Sequence, residues 1–145
     1  MDPNINMKYS KPWHCYFDQC DPAGILFYGQ IFFMAHQMLE DFIRHSEISY
    51  PDWFHHPQWI VPIKSAQAQY LKPISCGEKI NCSLSISKMG SSSLEFETVF
   101  INQDLITCAI SNVLHVFVDR SVGKKIPIPQ EIQLKIKPYL NSNSK

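Results

Sequence analysis

The chain has 145 residues, 45% hydrophobic and 18% charged, and its 13 basic and 13 acidic side chains leave a formal net charge of zero. That length suits one domain, 1–145, large enough to bury a core and too short for two. A neutral chain projects no long-range field toward phosphate polymers, so nucleic acid is not an expected partner, and the lean charged surface points instead to a face covered by another copy of the chain.

The opening run Met1-Asp2-Pro3-Asn4-Ile5-Asn6 has neither the basic nor the apolar region of a secretory leader, and a cytoplasmic protein is expected. The first segment with chemical content is Asp21-Pro22-Ala23-Gly24-Ile25. Pro22 fixes φ and lacks an N–H, and Gly24 can enter conformations closed to side chains, so the pair describes a tight loop feeding a helix start. The free N–H groups of that helix then point at whatever lies beside Asp21. A carboxylate in such a place is either a helix N-cap or a reactive group, and spacing alone favours the cap.

Residues 22–39 carry no Asp, Glu, Lys or Arg, which invites a membrane reading, but Pro22, two glycines, Gln30, His36 and Gln37 argue against a span. Ile31, Phe32, Ala35, Met38, Leu39, Phe42 and Ile43 recur at steps of three and four, predicting an amphipathic helix with a broad apolar face. Residues 48–58, with two prolines and the pair His55-His56, read as a loop containing a short helical turn. From residue 60 the period changes to two. Ile80, Cys82, Leu84 and Ile86 alternate with polar residues, a turn follows at Met89-Gly90-Ser91-Ser92, and Leu94, Phe96, Thr98 and Phe100 alternate again. Residues 105–118 are apolar at nearly every position and are expected centrally in the sheet with both faces covered. Residues 130–140 are left as a final helix or strand, and 141–145 as a disordered tail. One helix followed by a run of strands is an α+β arrangement.

The loop Cys20-Asp21-Pro22-Ala23-Gly24-Ile25 resembles that of the 4-hydroxybenzoyl-CoA thioesterase branch of the hotdog-fold thioesterases, where an Asp in such a loop precedes the central helix. The resemblance continues as pattern through roughly residues 10–130. It implies a hotdog fold, a long central helix wrapped by a curved antiparallel β-sheet, and hydrolysis of an acyl-CoA thioester. It also reverses the preference for a cap: Asp21 becomes the residue that acts on the thioester carbonyl, as nucleophile or as general base for water, and the sequence does not separate the two. By the same resemblance the backbone N–H of Tyr28, assisted by Gly29, holds the developing oxyanion. His36 stands where relatives often carry Glu or Asp, with an ordinary packed histidine as the competing reading. Gln30 and Gln19 depart from residues frequent in the family.

An apolar channel between subunits, lined by Phe27, Phe32, Phe33 and Trp59, is expected to take the acyl chain; their aromatic character suits an aryl group and equally a fatty one. Gly90, Ser91, Ser92 and Ser93 align with a turn that grips CoA phosphates in some relatives, but the family's cations are missing there, and an ordinary hairpin competes with phosphate binding; Lys88, Lys72 and Lys124-Lys125 are the candidate replacements. Five cysteines without a CxxC pair read as reduced thiols, and neither a metal nor a cofactor is expected. There is no G-x-S-x-G, H-E-x-x-H or P-loop. Sheet-edge pairing predicts a homodimer, with dimers pairing further into tetramers. An acyl group delivered on acyl carrier protein and a non-catalytic acyl-binding subunit are the alternatives, the first motivated by the missing basic turn and the second by Gln19 and Gln30.

Overall fold

The two periodicities become one long helix laid against a five-stranded antiparallel sheet in the computed structural model, which describes residues 6–141. The strands are β1 (Tyr9–His14), β2 (Trp59–Ile60), β3 (Ile63–Tyr70), β4 (Lys79–Met89), β5 (Ser93–Asn102), β6 (Thr107–Val116) and β7 (Val118–Asp119). The main sheet has the order β1-β4-β5-β6-β3, and β2 pairs with β7 in a small ribbon. The helices are α1 (Gln30–His45), α2 (Tyr50–Phe54) and α3 (Gln130–Ile136). The tail expected to be disordered lies, from residue 142 onward, outside the described residues.

Ile31, Met34, Ala35, Met38, Leu39, Phe42 and Ile43 of α1 are buried against the sheet, the stripe that steps of three and four dictate. Their partners are the inward residues of β4 and β5, where register sets Cys82 opposite Phe100, Leu84 opposite Thr98 and Ile86 opposite Phe96. Phe42 meets Phe96 and Tyr139 edge-on, with ring centroids 6.0 and 4.8 Å away. α2 caps itself through Ser49, whose hydroxyl accepts from Asp52 N at 3.3 Å, and so delivers Trp53 into the core. The C-terminal segment is a helix, with Ile132 and Ile136 closing the core. No helix of the described residues is long and apolar enough to cross a membrane.

The third long strand departs from the sequence reading. β5, not β6, lies at the centre of the sheet, and β6 begins at Thr107. Leu105 is 86% exposed with φ of 60°, and Ile106 is exposed beside it. Both belong to a turn held by Asn102, whose side-chain oxygen accepts from Asp104 N at 2.9 Å and Ile106 N at 3.0 Å. A side chain that closes a turn on its own backbone overrides the apolar run that follows it. β3 forms the sheet edge beyond β6, and nearly all its residues are exposed.

Candidate active site

Asp21 folds its own loop. Its N–H donates to Ile25 O at 2.8 Å, its carbonyl accepts from Gly24 N at 2.9 Å, and Gly24 has φ of 79°, which a side chain would resist. Oδ1 accepts from Ala23 N at 2.9 Å and Ile25 N at 3.4 Å, an Asx turn that fixes the carboxyl plane. Oδ2 takes no hydrogen bond among the described residues. The loop is tied to the protein by Leu26 N to Ile74 O at 2.8 Å, Phe27 N to Gln19 O at 2.9 Å and Cys76 N to Gly24 O at 3.0 Å. Asp21 is therefore not the N-cap of α1, a position occupied by Gly29.

The helix entrance supplies the complementary charge. Gln30 N bonds Phe27 O at 2.9 Å and Ile31 N reaches Tyr28 O at 3.4 Å, while the N–H groups of Tyr28 and Gly29 donate to nothing among the described residues. Tyr70, at the end of β3, donates its hydroxyl to Tyr28 O at 2.6 Å. That carbonyl and the Gly29 N–H belong to one planar trans peptide, so the phenol that holds the oxygen also aims the N–H on the opposite side. Gly29 lies close to Phe27: a Cβ there would meet the Phe27 ring at 3.1 Å, and that exposed ring would have to give by a few tenths of an ångström.

Asp21, Phe27, Tyr28, Ile31, Tyr70 and Lys72 are among the walls of one cleft of about 400 Å³. Its lining combines the Asp21 carboxylate, the residue Tyr28 with its unengaged N–H, apolar surface and one cation, and Gly29 follows Tyr28 in the chain. Lys72 has no carboxylate within ion-pair distance among the described residues. A larger and more open depression, about 920 Å³, is walled by Trp13, Lys79, Asn81 and Leu105 and has no carboxylate among its described lining residues.

A family model described as the Thioesterase-like superfamily matches residues 15–136. The chain belongs to that superfamily. It is 24% identical over 132 residues to a 1,4-dihydroxy-2-naphthoyl-CoA hydrolase of Thermosynechococcus vestitus, covering 91% of this chain and 89% of that one. Among solved structures, it superposes on a 1,4-dihydroxy-2-naphthoyl-CoA thioesterase from Synechocystis with a TM-score of 0.83 at 20% identity, covering 90% of this chain and 96% of the other. A Staphylococcus aureus protein solved in complex with CoA matches with a TM-score of 0.84 at 12% identity, covering 100% and 90%. The fold is the hotdog fold, and the protein is a thioester hydrolase.

Within this thioesterase the remaining predicted residues separate into three places. Phe32 and His36 line a second, smaller cavity of about 120 Å³ between α1 and the sheet, together with Ala35, Phe96, Thr98 and His115. His36 Nε2 lies 3.2 Å from Glu40 Oε2 at the exposed side of that cavity. Phe33 is 66% exposed and lines neither space. Trp59 stacks on His56 with ring centroids 3.3 Å apart and donates its indole N–H to Asp52 O at 2.8 Å, in a separate groove beside Asp119 and Arg120. Lys88, Gly90, Ser91 and Ser92 sit at the β4–β5 hairpin, where Gly90 N bonds Ser93 O and the carbonyls of Ser91 and Ser92 accept from Ile128 N and Phe117 N. The cleft borders Ala109, which pairs with Phe100, so the hairpin at Ser93 is roughly 23 Å away along β5.

Two residues of this region were not found from sequence. Tyr70 stands at the end of an exposed edge strand, and nothing local marks a partner 42 positions earlier. His115 falls within the apolar run 105–118, where a titratable ring inside a buried strand is itself a signal. It is 4% exposed, burial pushes its imidazole down to about 4, and its Nδ1 has no hydrogen-bond partner among the described residues.

Proposed function

We propose that the protein hydrolyses an aromatic acyl-CoA to the free acid and CoA, with Asp21 promoting attack on the thioester carbonyl and the N–H groups of Gly29 and Tyr28 receiving the oxyanion. The observation that carries this reading is that Asp21, with one carboxylate oxygen unengaged among the described residues, and Tyr28, whose N–H is likewise unengaged, line one cleft, with the unengaged N–H of Gly29 next along the chain. Charge develops on the carbonyl oxygen as the bond to the nucleophile forms, and donors already fixed by the fold stabilise it without reorganising. Asp21 acts either by taking a proton from water or by adding directly to the carbonyl; in both courses one water is consumed and the thiol of CoA leaves. Lys72 supports CoA as the carrier, since it brings to the cleft a positive charge that has no carboxylate beside it among the described residues.

The aromatic preference rests on the relatives, whose names specify naphthoyl-CoA, and on the aromatic lining of both spaces. The exposed row of β3, with Phe27 and Tyr28 at the helix entrance, suits pairing of two β3 edges in a homodimer. Antiparallel pairing of identical edges sets the Tyr70 end of one strand beside the Ile63 end of the other. The Asp21 cleft of one protomer then faces the small cavity of its partner, and the ester is cut at one while the acyl group enters the other. Release of thiol from a panel of aryl, short-chain and fatty acyl-CoAs, followed with a colour reagent, tests the assignment. Turnover of aryl-CoA that disappears in Asp21→Asn supports it, and a protein inert toward every thioester overturns it.

A further inference from the structure

Three of the five cysteines meet beside the Asp21 loop. Cys15 follows β1 and is 1% exposed, and the single 3-10 turn Phe17–Gln19 folds the chain back so that Cys20 returns to it. The two sulfurs lie 3.4 Å apart, and both thiols reach the carbonyl of Tyr16, from Cys15 at 3.9 Å and from Cys20 at 3.4 Å. Cys20 is half-buried, and its thiol also interacts with that of the exposed Cys76. Cys82 and Cys108, by contrast, are fully buried on β4 and β6. The backbone ties the group to the loop. Cys20 directly precedes Asp21 and bridges to Leu26, and Cys76 N donates to Gly24 O at 3.0 Å. Cys15 is held from both sides, its N–H donating to Glu78 O at 2.9 Å and its carbonyl accepting from Gly77 N at 2.7 Å.

We propose that Cys15 and Cys20 form a reversible disulfide, with hydrogen peroxide as the oxidant, that shifts the Asp21 loop and switches the thioesterase off. The O–O bond of the peroxide breaks as one oxygen joins the Cys20 sulfur, which leaves a sulfenic acid and releases one water. The Cys15 sulfur then displaces that oxygen: an S–S bond forms, the S–O bond breaks, and the oxygen leaves as a second water with the Cys15 proton. The two thiols supply the two electrons. An accessible sulfur with a second one in near contact behind it is the arrangement this sequence needs. A disulfide is about 2.05 Å long, so closure draws the sulfurs together by more than about 1 Å from their present 3.4 Å. Cys15 is the anchored partner, and the movement falls on Cys20 and on Asp21 beside it. Desolvation raises both thiols, which keeps them protonated and makes the oxidation slow, a response to sustained oxidant. The covalent step is independent of the proposed function; its effect on turnover rests on the role given there to Asp21.

The test treats the reduced protein with excess hydrogen peroxide, desalts it, and follows loss of thioester absorbance on the fastest acyl-CoA of the panel above. Turnover should fall about tenfold or more, since a reacting group displaced by about 1 Å can cost a hundredfold, and should return after dithiothreitol. Tryptic mapping without reductant should give peptide 9–44, which holds both Cys15 and Cys20, two hydrogens lighter. A link from that peptide to 65–79 would move the bond to Cys76 and overturn the pairing. Free thiols at Cys15 and Cys20 after treatment would overturn the disulfide itself. A loss that dithiothreitol does not reverse would do the same, because over-oxidised cysteine or methionine sulfoxide would then be its cause. Cys76→Ser should behave as the wild type, and Cys15→Ala should form no bond within 9–44 and keep most of its turnover under peroxide. If Cys15→Ala does not fold, the maps of the wild type and Cys76→Ser still decide. A disulfide that forms with turnover unchanged, beside an inactive Asp21→Asn, would remove the switch and leave the proposed function standing.

Discussion

The hydroxyl of Tyr70 and the carbonyl oxygen of Tyr28 lie 2.6 Å apart, and this bond links the end of the edge strand β3 to the turn that opens α1. Its consequence is directional. The carbonyl cannot swing without breaking it, so the Gly29 N–H on the far side of the same peptide keeps its aim. Tyr70→Phe should leave the fold intact and loosen that peptide. A single neutral hydrogen bond of about 1 kcal/mol corresponds to a three- to tenfold loss in kcat, with KM nearly constant because the donor matters most when charge has developed. Steady-state kinetics on one aryl-CoA, beside a thermal melt, measures both; a change confined to KM would detach Tyr70 from the oxyanion.

Asp21 does two things, and substitutions separate them. Oδ1 holds the loop through Ala23 N and Ile25 N, while Oδ2 is unengaged among the described residues. Asparagine keeps an oxygen for the turn and removes the carboxylate; alanine removes both. Turnover should fall on the order of a hundredfold or more in either variant, and only Asp21→Ala should also lose stability, by about 1 kcal/mol. Single-turnover rates and urea midpoints give the two readings. Full activity in Asp21→Asn would exclude the carboxylate from the chemistry.

Lys72 reaches the cleft from the segment after β3, whose backbone is pinned by Lys72 N to Cys108 O at 3.0 Å. With no carboxylate beside it, its ammonium is available to an anionic substrate. Lys72→Met keeps the stem and removes the charge, and should raise KM for a CoA ester three- to tenfold with little change in kcat. Because the contact is exposed, the difference should shrink as salt rises from low ionic strength. Equal KM values for wild type and variant at low salt would place the phosphates elsewhere.

What the sequence disclosed followed from periodicity. The α1 stripe from Ile31 to Ile43 and the inward residues of β4 and β5 were legible because burial on one face repeats at 3.6 or at 2. The Asp21 loop was legible through Pro22 and Gly24, which announce a turn by their own stereochemistry. The Leu105 turn was not, since its cause is a side-chain oxygen of Asn102 acting across four residues. Neither was the pairing of Tyr70 with Tyr28, nor the isolation of His115 Nδ1: both are made by elements that meet only after the sheet has formed. The division of Phe27, Phe32, Phe33 and Trp59 among different surfaces was hidden for the same reason.

His115 also predicts a pH dependence of stability. Unfolded, its imidazole titrates near 6.5; folded, burial holds it down at about 4. Between those values the unfolded chain binds a proton that the native protein refuses, so stability falls as pH drops from about 6.5 toward 4 and is insensitive to this group above it. The span corresponds to about 3 kcal/mol in total. Asp119, held below its ordinary 3.8 by hydrogen bonds from Ser121 and Val122, loses its contribution only at lower pH and does not overlap the window. His36 faces the same cavity but is half-exposed and paired with Glu40. Urea denaturation at pH 4.5, 5.5 and 7.5 should therefore show a steep acid-side loss in the wild type and a shallower one in His115→Asn, which cannot titrate. Parallel curves for the two proteins would mean that the buried ring is protonated as readily in the native state as in the unfolded chain.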